Sequence, residues 1–252
     1  MKIGIVITAT NAYSVLGIRF MKRFMQHYKG KSEIKFYFFS DINPKDYIPN
    51  NIEFEYFHVE NDIWHVGNNL RFDAVLSIKG KCDSEYLYYF DADTNIRREF
   101  TEDWFIGEMV GGQHFLDQLS MKDNKGYERN KKSQAYIPYN TNLPQIYLYG
   151  AFWGGLKENV FKFCDTIQKN RKIDKENGYK PAYNEKYINH YFHYNPPSKI
   201  VMCPDFVFRI SDKGSLGETR RMDLNVTQLK NDLKKYKNNN IDIISAKVVL
   251  DS

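Results

Sequence analysis

The sequence predicts an α/β fold with a mostly parallel central sheet, and three observations lead to this prediction. Short apolar runs alternate with segments of helical period along the first third of the chain, which is the pattern of strands joined by helices. Polar residues follow several of these runs, as they do where the strands of such a sheet end. With 252 residues, 42% of them hydrophobic, the chain can bury one sizeable core.

The first half of the chain predicts elements in the order strand, helix, strand, strand, helix, strand. The strands are expected at 2–8, 33–41, 52–59 and 85–93, and the helices at 14–28 and 70–81. Phe20 and Phe24 recur on one face of the first helix, and Ser14 is expected as its N-cap. The aromatic run "YLYYF" at 86–90 is expected in the core.

The second half predicts fewer elements. The segment "YLYGAFWGGL" at 147–156 is aromatic and interrupted by glycines, which indicates a close approach of its backbone to another group. A helix is expected in 157–178, ending near Asn170, and a shorter one at 184–195. The chain then becomes polar and rich in lysine, so we expect one domain at 1–222 and a C-terminal tail at 223–252.

Composition excludes several classes of protein. A formal net charge of +5 is too small to argue for nucleic-acid binding. The three cysteines, Cys82, Cys164 and Cys203, are far apart and predict neither a disulfide framework nor a zinc site. No apolar run approaches the ~20 residues that cross a bilayer, and the first residues lack the features of a signal peptide. A cytoplasmic location without a transmembrane segment is therefore expected.

The stretch "YYFDADTN" at 88–95 places two carboxylates, Asp91 and Asp93, directly after a buried run. Thr8 and Asp41 end other predicted strands, so all should meet at the edge of the sheet where ligands bind. Two carboxylates at such an edge suit a hard divalent cation that also binds phosphate oxygens. The alternative is a solvated turn, where aspartate is common. The first turn, "TATNAY", lacks the glycines of a dinucleotide-binding fold.

One further carboxylate, Glu185, begins the helix predicted at 184–195. The N-terminus of a helix favours the ionised form of a carboxylate. An ordinary glutamate of a first helical turn would look the same, so these residues alone leave both interpretations open.

Taken together, these segments resemble the family 6 retaining glycosyltransferases, which include the ABO blood-group transferases and α-1,3-galactosyltransferase. The most specific match is "YERNKKSQAYIP" at 127–138. The other matching segments follow one another in the family's order across roughly residues 1–210: "YFFSD", "LRFDAVLSI", "YYFDAD", "YLYGAFWGG", "DKENG", "NEKYINHYF" and "KIVMCPDFVF". The metal-binding "DxD" motif is intact.

The resemblance implies a GT-A-type nucleotide-diphospho-sugar transferase fold that moves a hexose from a UDP-sugar to a glycan with an α linkage. Its cofactor would be Mn²⁺, with Mg²⁺ as the alternative. Asp91 and Asp93 would hold this metal on the diphosphate, and Asp91 would also lie near the ribose or the sugar. Glu185 would be the catalytic residue beneath the anomeric carbon. Arg71 would contact the donor sugar and Asp91, although the residue alone is compatible with an ordinary surface cation.

The same resemblance implies further contacts with the donor. Tyr13 would lie against the uracil, with Thr8 and Ala9 on the same turn. Asn184 falls where the family usually has an aspartate that grips the donor hexose.

The remaining contacts concern the choice of sugar and the acceptor. Gly150 and Ala151 align with positions that help to select galactose or N-acetylgalactosamine, the two favoured sugars. His114 would contact the acceptor, although an isolated histidine is usually a surface or packed residue. The family's tryptophan on the acceptor side is replaced by Ala182. No anchor or stem is seen, so a soluble microbial or viral form is expected.

Two alternatives remain at this point. A metal-dependent nucleotidyltransferase would also use Asp91 and Asp93, but it should carry a phosphate-binding loop rich in glycine or in basic residues near the first strand. A non-catalytic protein that binds UDP-sugars or carbohydrates would have no need to keep both aspartates together with Glu185.

Overall fold

The computed structural model describes residues 1–60, 64–96, 99–113, 126–139, 147–179, 183–202, 208–209 and 242–244. The strands in these ranges are β1 (Lys2–Ala9), β2 (Glu33–Ser40), β3 (Glu53–His58), β4 (Tyr86–Asp91), β5 (Thr94–Asn95), β6 (Met109–Gln113), β7 (Leu148–Leu156), β8 (Lys199–Met202), β9 (Phe208–Arg209) and β10 (Asp242–Ile244). The helices are α1 (Ala12–His27), α2 (Trp64–Ser77), α3 (Lys157–Glu176) and α4 (Asn184–Tyr194). Short 3₁₀ turns lie at Pro44–Asp46 and Glu102–Trp104.

Eight of the described strands form one sheet in the order β10-β8-β6-β7-β4-β1-β2-β3. β7 runs antiparallel to its neighbours β4 and β6, and all other pairs in this sheet are parallel. β5 and β9 form a separate antiparallel pair. The predicted α/β class with a mostly parallel sheet is confirmed.

The aromatic run of β4 contributes to the core on both faces of the sheet. Tyr89 belongs to a cluster with side chains of α2, α3 and α4, whereas Tyr88 and Phe90 belong to a cluster with side chains of α1. Successive side chains of a strand point to opposite faces, and all three rings are almost fully buried. The expectation that this run lies in the core is confirmed.

The start of the first helix differs from the prediction. α1 begins at Ala12 with Asn11 as its N-cap, so the prediction of Ser14 as N-cap is wrong. The Ser14 hydroxyl lies inside the first turn, at 3.1 Å from the Ala9 carbonyl oxygen, and also contacts the Asp41 carboxylate. This serine therefore ties the helix to the ends of β1 and β2, a contact that local sequence does not reveal.

The other long helices also differ in their ends. α2 begins at Trp64, earlier than the predicted 70–81, and ends at Ser77. α3 continues to Glu176, so its predicted end near Asn170 is wrong. In its last turns the buried Asp174 carboxylate accepts hydrogen bonds from the Ser133 hydroxyl at 2.7 Å and the Gln134 backbone N–H at 2.8 Å. These hydrogen bonds tie the last turns of α3 to a segment that lies about 40 residues earlier in the chain.

The chain beyond residue 202 is described only at 208–209 and 242–244. The division into a domain at 1–222 and a tail at 223–252 therefore stays a prediction. Three residues of that predicted tail, Asp242–Ile244, pair in parallel with β8. None of the helices in the described ranges is both long and apolar enough to cross a membrane.

Candidate active site

The carboxyl ends of β1, β2 and β4 meet at one edge of the sheet, as expected. Thr8 of β1 is opposite Asp91 of β4 in the parallel register, and Asp41 directly follows β2. The buried runs before these residues fix the positions of the strand ends, because a shift in register would expose the apolar side chains.

The turn after β1 is held by Asp41. One carboxylate oxygen of Asp41 accepts the backbone N–H of Asn11 at 3.0 Å, and the other contacts the Ser14 hydroxyl. Burial alone would raise the pKa of Asp41, but these hydrogen bonds outweigh it and leave the pKa below its usual value. Asn11 has a positive φ of 59°, a conformation that costs free energy unless its surroundings hold it. Asp41 supplies such a hold on the turn that leads to Tyr13.

A tyrosine joins the ends of β1 and β4. The Tyr89 hydroxyl donates to Asp91 Oδ1 at 2.9 Å and lies 2.9 Å from Thr8 Oγ1. Because a phenol has one proton, Thr8 donates to Tyr89 while Tyr89 donates to Asp91. Burial raises the pKa of Tyr89, and the Asp91 charge adds to this effect. The phenol therefore stays protonated and remains a donor.

Arg71 lies inside the site, only 7% exposed. Its Nη2 is 3.4 Å from Asp91 Oδ1, its Nη1 donates to the Gly150 carbonyl oxygen at 2.8 Å, and its guanidinium carbon is 5.2 Å from the Tyr89 ring centroid. Burial acts to lower the pKa of Arg71, but the charge of Asp91, with a smaller effect of Glu185, raises it overall. The side chain is therefore a fixed buried cation and not a surface residue.

Glu185 lies in the first turn of α4 and faces the same strand as Arg71. Its Oε1 accepts the Gly150 backbone N–H at 2.7 Å, and its Oε2 accepts the Tyr147 hydroxyl at 2.9 Å. A Cβ at position 150 would lie 3.1 Å from Arg71 Nη1 and 3.2 Å from Glu185 Oε1. The glycine thus permits the close approach expected of this segment.

Asp91 and Asp93 are the candidate ligands of a metal ion. Asp93 lies in the turn between β4 and β5 and is 4% exposed. No group of three or more histidines, cysteines or acidic residues that could hold a metal occurs within the described residues. Tyr89 and Arg71 both contact Asp91 through Oδ1, so neither of them occupies Oδ2. The residues fit a hard cation that completes its coordination with substrate oxygens and water.

The other predicted residues lie in different environments. Ala9 is the buried last residue of β1, and Ala151 is buried within β7. Tyr13 packs half-buried against the cluster beside α1. Asn184 is the buried first residue of α4. His114 lies outside the described residues, so its contact with an acceptor stays a prediction.

Two residues of the site were not among the predicted site residues, Tyr89 and Tyr147. Both lie in aromatic runs that sequence patterns assign to packing, and Tyr89 does pack in the core. The available signal was the choice of tyrosine over phenylalanine, because a buried hydroxyl needs a hydrogen-bond partner.

Comparison with known proteins finds relatives that are named as glycosyltransferases. The chain is 26% identical over 218 residues to "Globoside alpha-1,3-N-acetylgalactosaminyltransferase 1" of Gallus gallus, an alignment covering 82% of this chain and 62% of that protein. It is 26% identical over 179 residues to "O-antigen biosynthesis glycosyltransferase WbnI" of Escherichia coli, covering 68% of this chain and 74% of that protein. It is 39% identical over 137 residues to "Glycosyltransferase 6 domain-containing protein 1" of Mus musculus, covering 54% of this chain and 40% of that protein.

The chain thus spans less than two thirds of the chicken and mouse relatives. A family model described as "Glycosyltransferase family 6" matches residues 1–235, nearly the whole chain. This family is consistent with the GT-A-type fold expected from the sequence and with the mixed α/β architecture of the structure. The chain belongs to glycosyltransferase family 6.

Proposed function

We propose that the protein is a retaining hexosyltransferase that moves galactose or N-acetylgalactosamine from a UDP-sugar to a glycan acceptor with an α linkage. The observation that carries this proposal is one continuous set of contacts from Asp91 through Arg71 and Gly150 to Glu185. It joins a candidate metal ligand to a candidate catalytic carboxylate at the ligand-binding edge of the sheet. Family membership supports the same reaction class.

Asp91 and Asp93 would hold Mn²⁺, or Mg²⁺ as the alternative. Such an ion supplies positive charge that stabilises the diphosphate leaving group. Arg71 adds a second fixed positive charge next to Asp91, and its burial strengthens its interaction with negative charge.

The nucleotide would bind at the turn after β1. Tyr13 would face the uracil, and Thr8 and Ala9 would line the adjacent strand end. The hold of Asp41 on Asn11 keeps this turn in one conformation before the donor arrives, which lowers the entropic cost of binding.

Glu185 would act on the sugar, which becomes oxocarbenium-like as its bond to UDP breaks. Its two oxygens are held by Gly150 and Tyr147, so the carboxylate is oriented before substrate binds. Retention allows two roles for it: a nucleophile that forms a covalent intermediate, as in retaining glycosidases, or a negative charge that stabilises the cation while the acceptor attacks from the side of the phosphate.

The first test is the release of UDP from UDP-galactose, UDP-N-acetylgalactosamine, UDP-glucose and UDP-N-acetylglucosamine, each with Mn²⁺ and with EDTA. We expect Mn²⁺-dependent release from one or two of them, lost in Asp93→Ala. Asp46→Ala is the matched control, because it removes an exposed carboxylate from the 3₁₀ turn after β2, and it should retain full activity.

Other outcomes would contradict parts of the proposal. Release that depends on neither Mn²⁺ nor Asp93 would remove the metal from the mechanism. Tight, Mn²⁺-dependent binding of UDP without release from any donor would favour a non-catalytic UDP-sugar-binding protein.

A further inference from the structure

Tyr89 places a buried hydroxyl group between two parts of the site that different strands supply. The side chain is 2% exposed. Its ring stacks on Trp153, with centroids 5.1 Å apart and an interplanar angle of 16°. Packing therefore fixes the ring, and the hydroxyl can reach only groups at the edge of the sheet.

On the β4 side, the hydroxyl orients the carboxylate of Asp91. Tyr89 and Arg71 both approach Oδ1, at 2.9 Å and 3.4 Å. An aspartate at a strand end can otherwise rotate about its side-chain bonds. With Oδ1 held, Oδ2 is presented in one orientation, so a ligand of Asp91 meets an oxygen that is already in place.

On the β1 side, the hydroxyl accepts a hydrogen bond from Thr8 at 2.9 Å. Thr8 lies two residues before the turn at Thr10 and Asn11, and Asp41 holds that turn through the Asn11 backbone. The Tyr89 hydroxyl thus connects the strand end that leads to the proposed nucleotide turn with the carboxylate proposed to bind metal.

We propose that Tyr89 is a positioning residue that couples the binding of divalent metal to the binding of UDP. This inference rests on the proposed function. A group that orients a metal ligand typically changes metal affinity by about 10–100-fold when it is removed. Because the coupling between two ligands is reciprocal, the part of this loss that is specific to the UDP complex appears equally as a smaller effect of Mn²⁺ on the affinity for UDP.

Tyr89→Phe is the direct test, because phenylalanine keeps the ring against Trp153 and beneath Arg71 and removes only the hydroxyl. Tyr88→Phe is the matched control. Tyr88 is the preceding residue of the same strand, is fully buried on the opposite face, and donates its hydroxyl to the Phe105 carbonyl oxygen. Tyr88→Phe thus loses a buried hydrogen bond outside the site, whereas Tyr89→Phe loses the two hydrogen bonds to Asp91 and Thr8 inside it.

The measurement is the dissociation constant of UDP by calorimetry, with saturating Mn²⁺ and with EDTA, together with the melting temperature. In Tyr89→Phe we expect the Mn²⁺-dependent gain in UDP affinity to fall by about 10-fold. The affinity in EDTA should stay within about 2-fold of the wild-type value. Tyr88→Phe should keep the full gain while losing thermal stability, as expected for one buried hydrogen bond.

Thr8→Val provides an independent variant should Tyr89→Phe fold poorly. It removes the hydroxyl that donates to Tyr89 and should reduce the coupling by about 3-fold, as expected for one indirect hydrogen bond. Unchanged coupling in both Tyr89→Phe and Thr8→Val, or an equal loss in Tyr88→Phe, would overturn the inference and leave the proposed function standing. Absence of any Mn²⁺ effect on the affinity of the wild-type protein for UDP would overturn the metal-dependent function and the inference with it.

Discussion

The two ends of the central sheet use their charged residues in opposite ways. At the end where β1 begins, Lys2 pairs with Glu53 and Asp83 at 3.0 Å and 2.8 Å, and Lys35 pairs with Glu55 at 3.1 Å. The side chains of these three carboxylates are 35–53% exposed to solvent. At the opposite end, Asp91 meets the buried Arg71 through one oxygen only.

At the first end, the charges form ordinary surface ion pairs. At the second end, a buried cation and carboxylates are arranged as in a site that binds a ligand. Exposed ion pairs each contribute about 0–1 kcal/mol, so the first end contributes little and needs no ligand. Burial of an arginine is costly unless it is paired and hydrogen-bonded. Arg71 meets this condition, because it contacts the Asp91 carboxylate and the Gly150 carbonyl oxygen, and Gly150 also holds the carboxylate of Glu185. Such an arrangement is typical of a functional site.

The largest effect is expected at the ligand-binding end, from Glu185→Gln. The change removes the negative charge that is proposed to face the sugar, so we expect transfer to fall by about 10³-fold or more. UDP affinity with Mn²⁺ should stay within about 2-fold, because the Glu185 carboxylate is held by Gly150 and Tyr147, which are not among the proposed metal ligands. Steady-state transfer and UDP titration measure the two quantities.

Glu158→Gln is the matched control for this prediction, since Glu158 also lies in the first turn of a helix, α3, away from the site. Transfer at near wild-type rate in Glu185→Gln would remove Glu185 from the mechanism.

A smaller effect is expected from Arg71→Lys. An ammonium group keeps the charge but lacks the planar fork that reaches both Asp91 and Gly150, so one of these partners should lose its contact. We expect kcat to fall by about 10²-fold and the free energy of unfolding by about 1–3 kcal/mol. Kinetics and urea unfolding provide these values, and a fully active Arg71→Lys would show that charge alone suffices.

The smallest effect is expected at the opposite end, from Asp83→Asn. The hydrogen bond from Lys2 is the main cause that lowers the pKa of Asp83 from 3.8 to about 2. A pKa depressed by folding adds stability above the unfolded value, and that stability is lost as the pH falls from about 4 to about 2. Because Asp83 is largely exposed, the contribution should not exceed about 1 kcal/mol.

Urea unfolding between pH 2 and pH 7, at low and high salt, tests this prediction. The wild-type protein should lose stability more steeply than Asp83→Asn below about pH 4, and high salt should reduce the difference. Transfer at neutral pH should be the same in both proteins. A loss of transfer in Asp83→Asn would contradict the separation between the two ends.

Sequence reasoning placed the strand ends that form the candidate site because local rules determine them. Apolar runs locate β1, β2 and β4, and the rule that ligands bind at the carboxyl ends of parallel strands selects Thr8 and Asp91. The pattern of residues 184–195 predicts a helix, and this prediction places Glu185 in the first helical turn, where the structure also has it. Each of these predictions depends on residues within a few positions of one another.

The contacts that sequence reasoning missed join residues far apart in the chain. Ser14 looks like a cap, but its hydroxyl meets Asp41 of another strand end. The sequence did not predict the last turns of α3. In the structure, Asp174 in these turns accepts hydrogen bonds from Ser133 and Gln134, which lie about 40 residues earlier in the chain. Tyrosine and phenylalanine have the same apolar pattern, so the partners of Tyr89 and Tyr147 could not be identified before the fold was known.

The contacts of Gly150 limit which substitutions this enzyme family can accept at this position. The resemblance to the family implies that this position helps to choose the donor sugar, and in the structure its carbonyl oxygen accepts a hydrogen bond from Arg71 while its N–H donates to Glu185. An added methyl group would lie 3.1 Å and 3.2 Å from those two side chains, so one of them would have to shift. Under the proposed function, a mutation that narrows the sugar pocket here would therefore also change the rate, and new donor preferences at this position would have to evolve together with compensating changes around it.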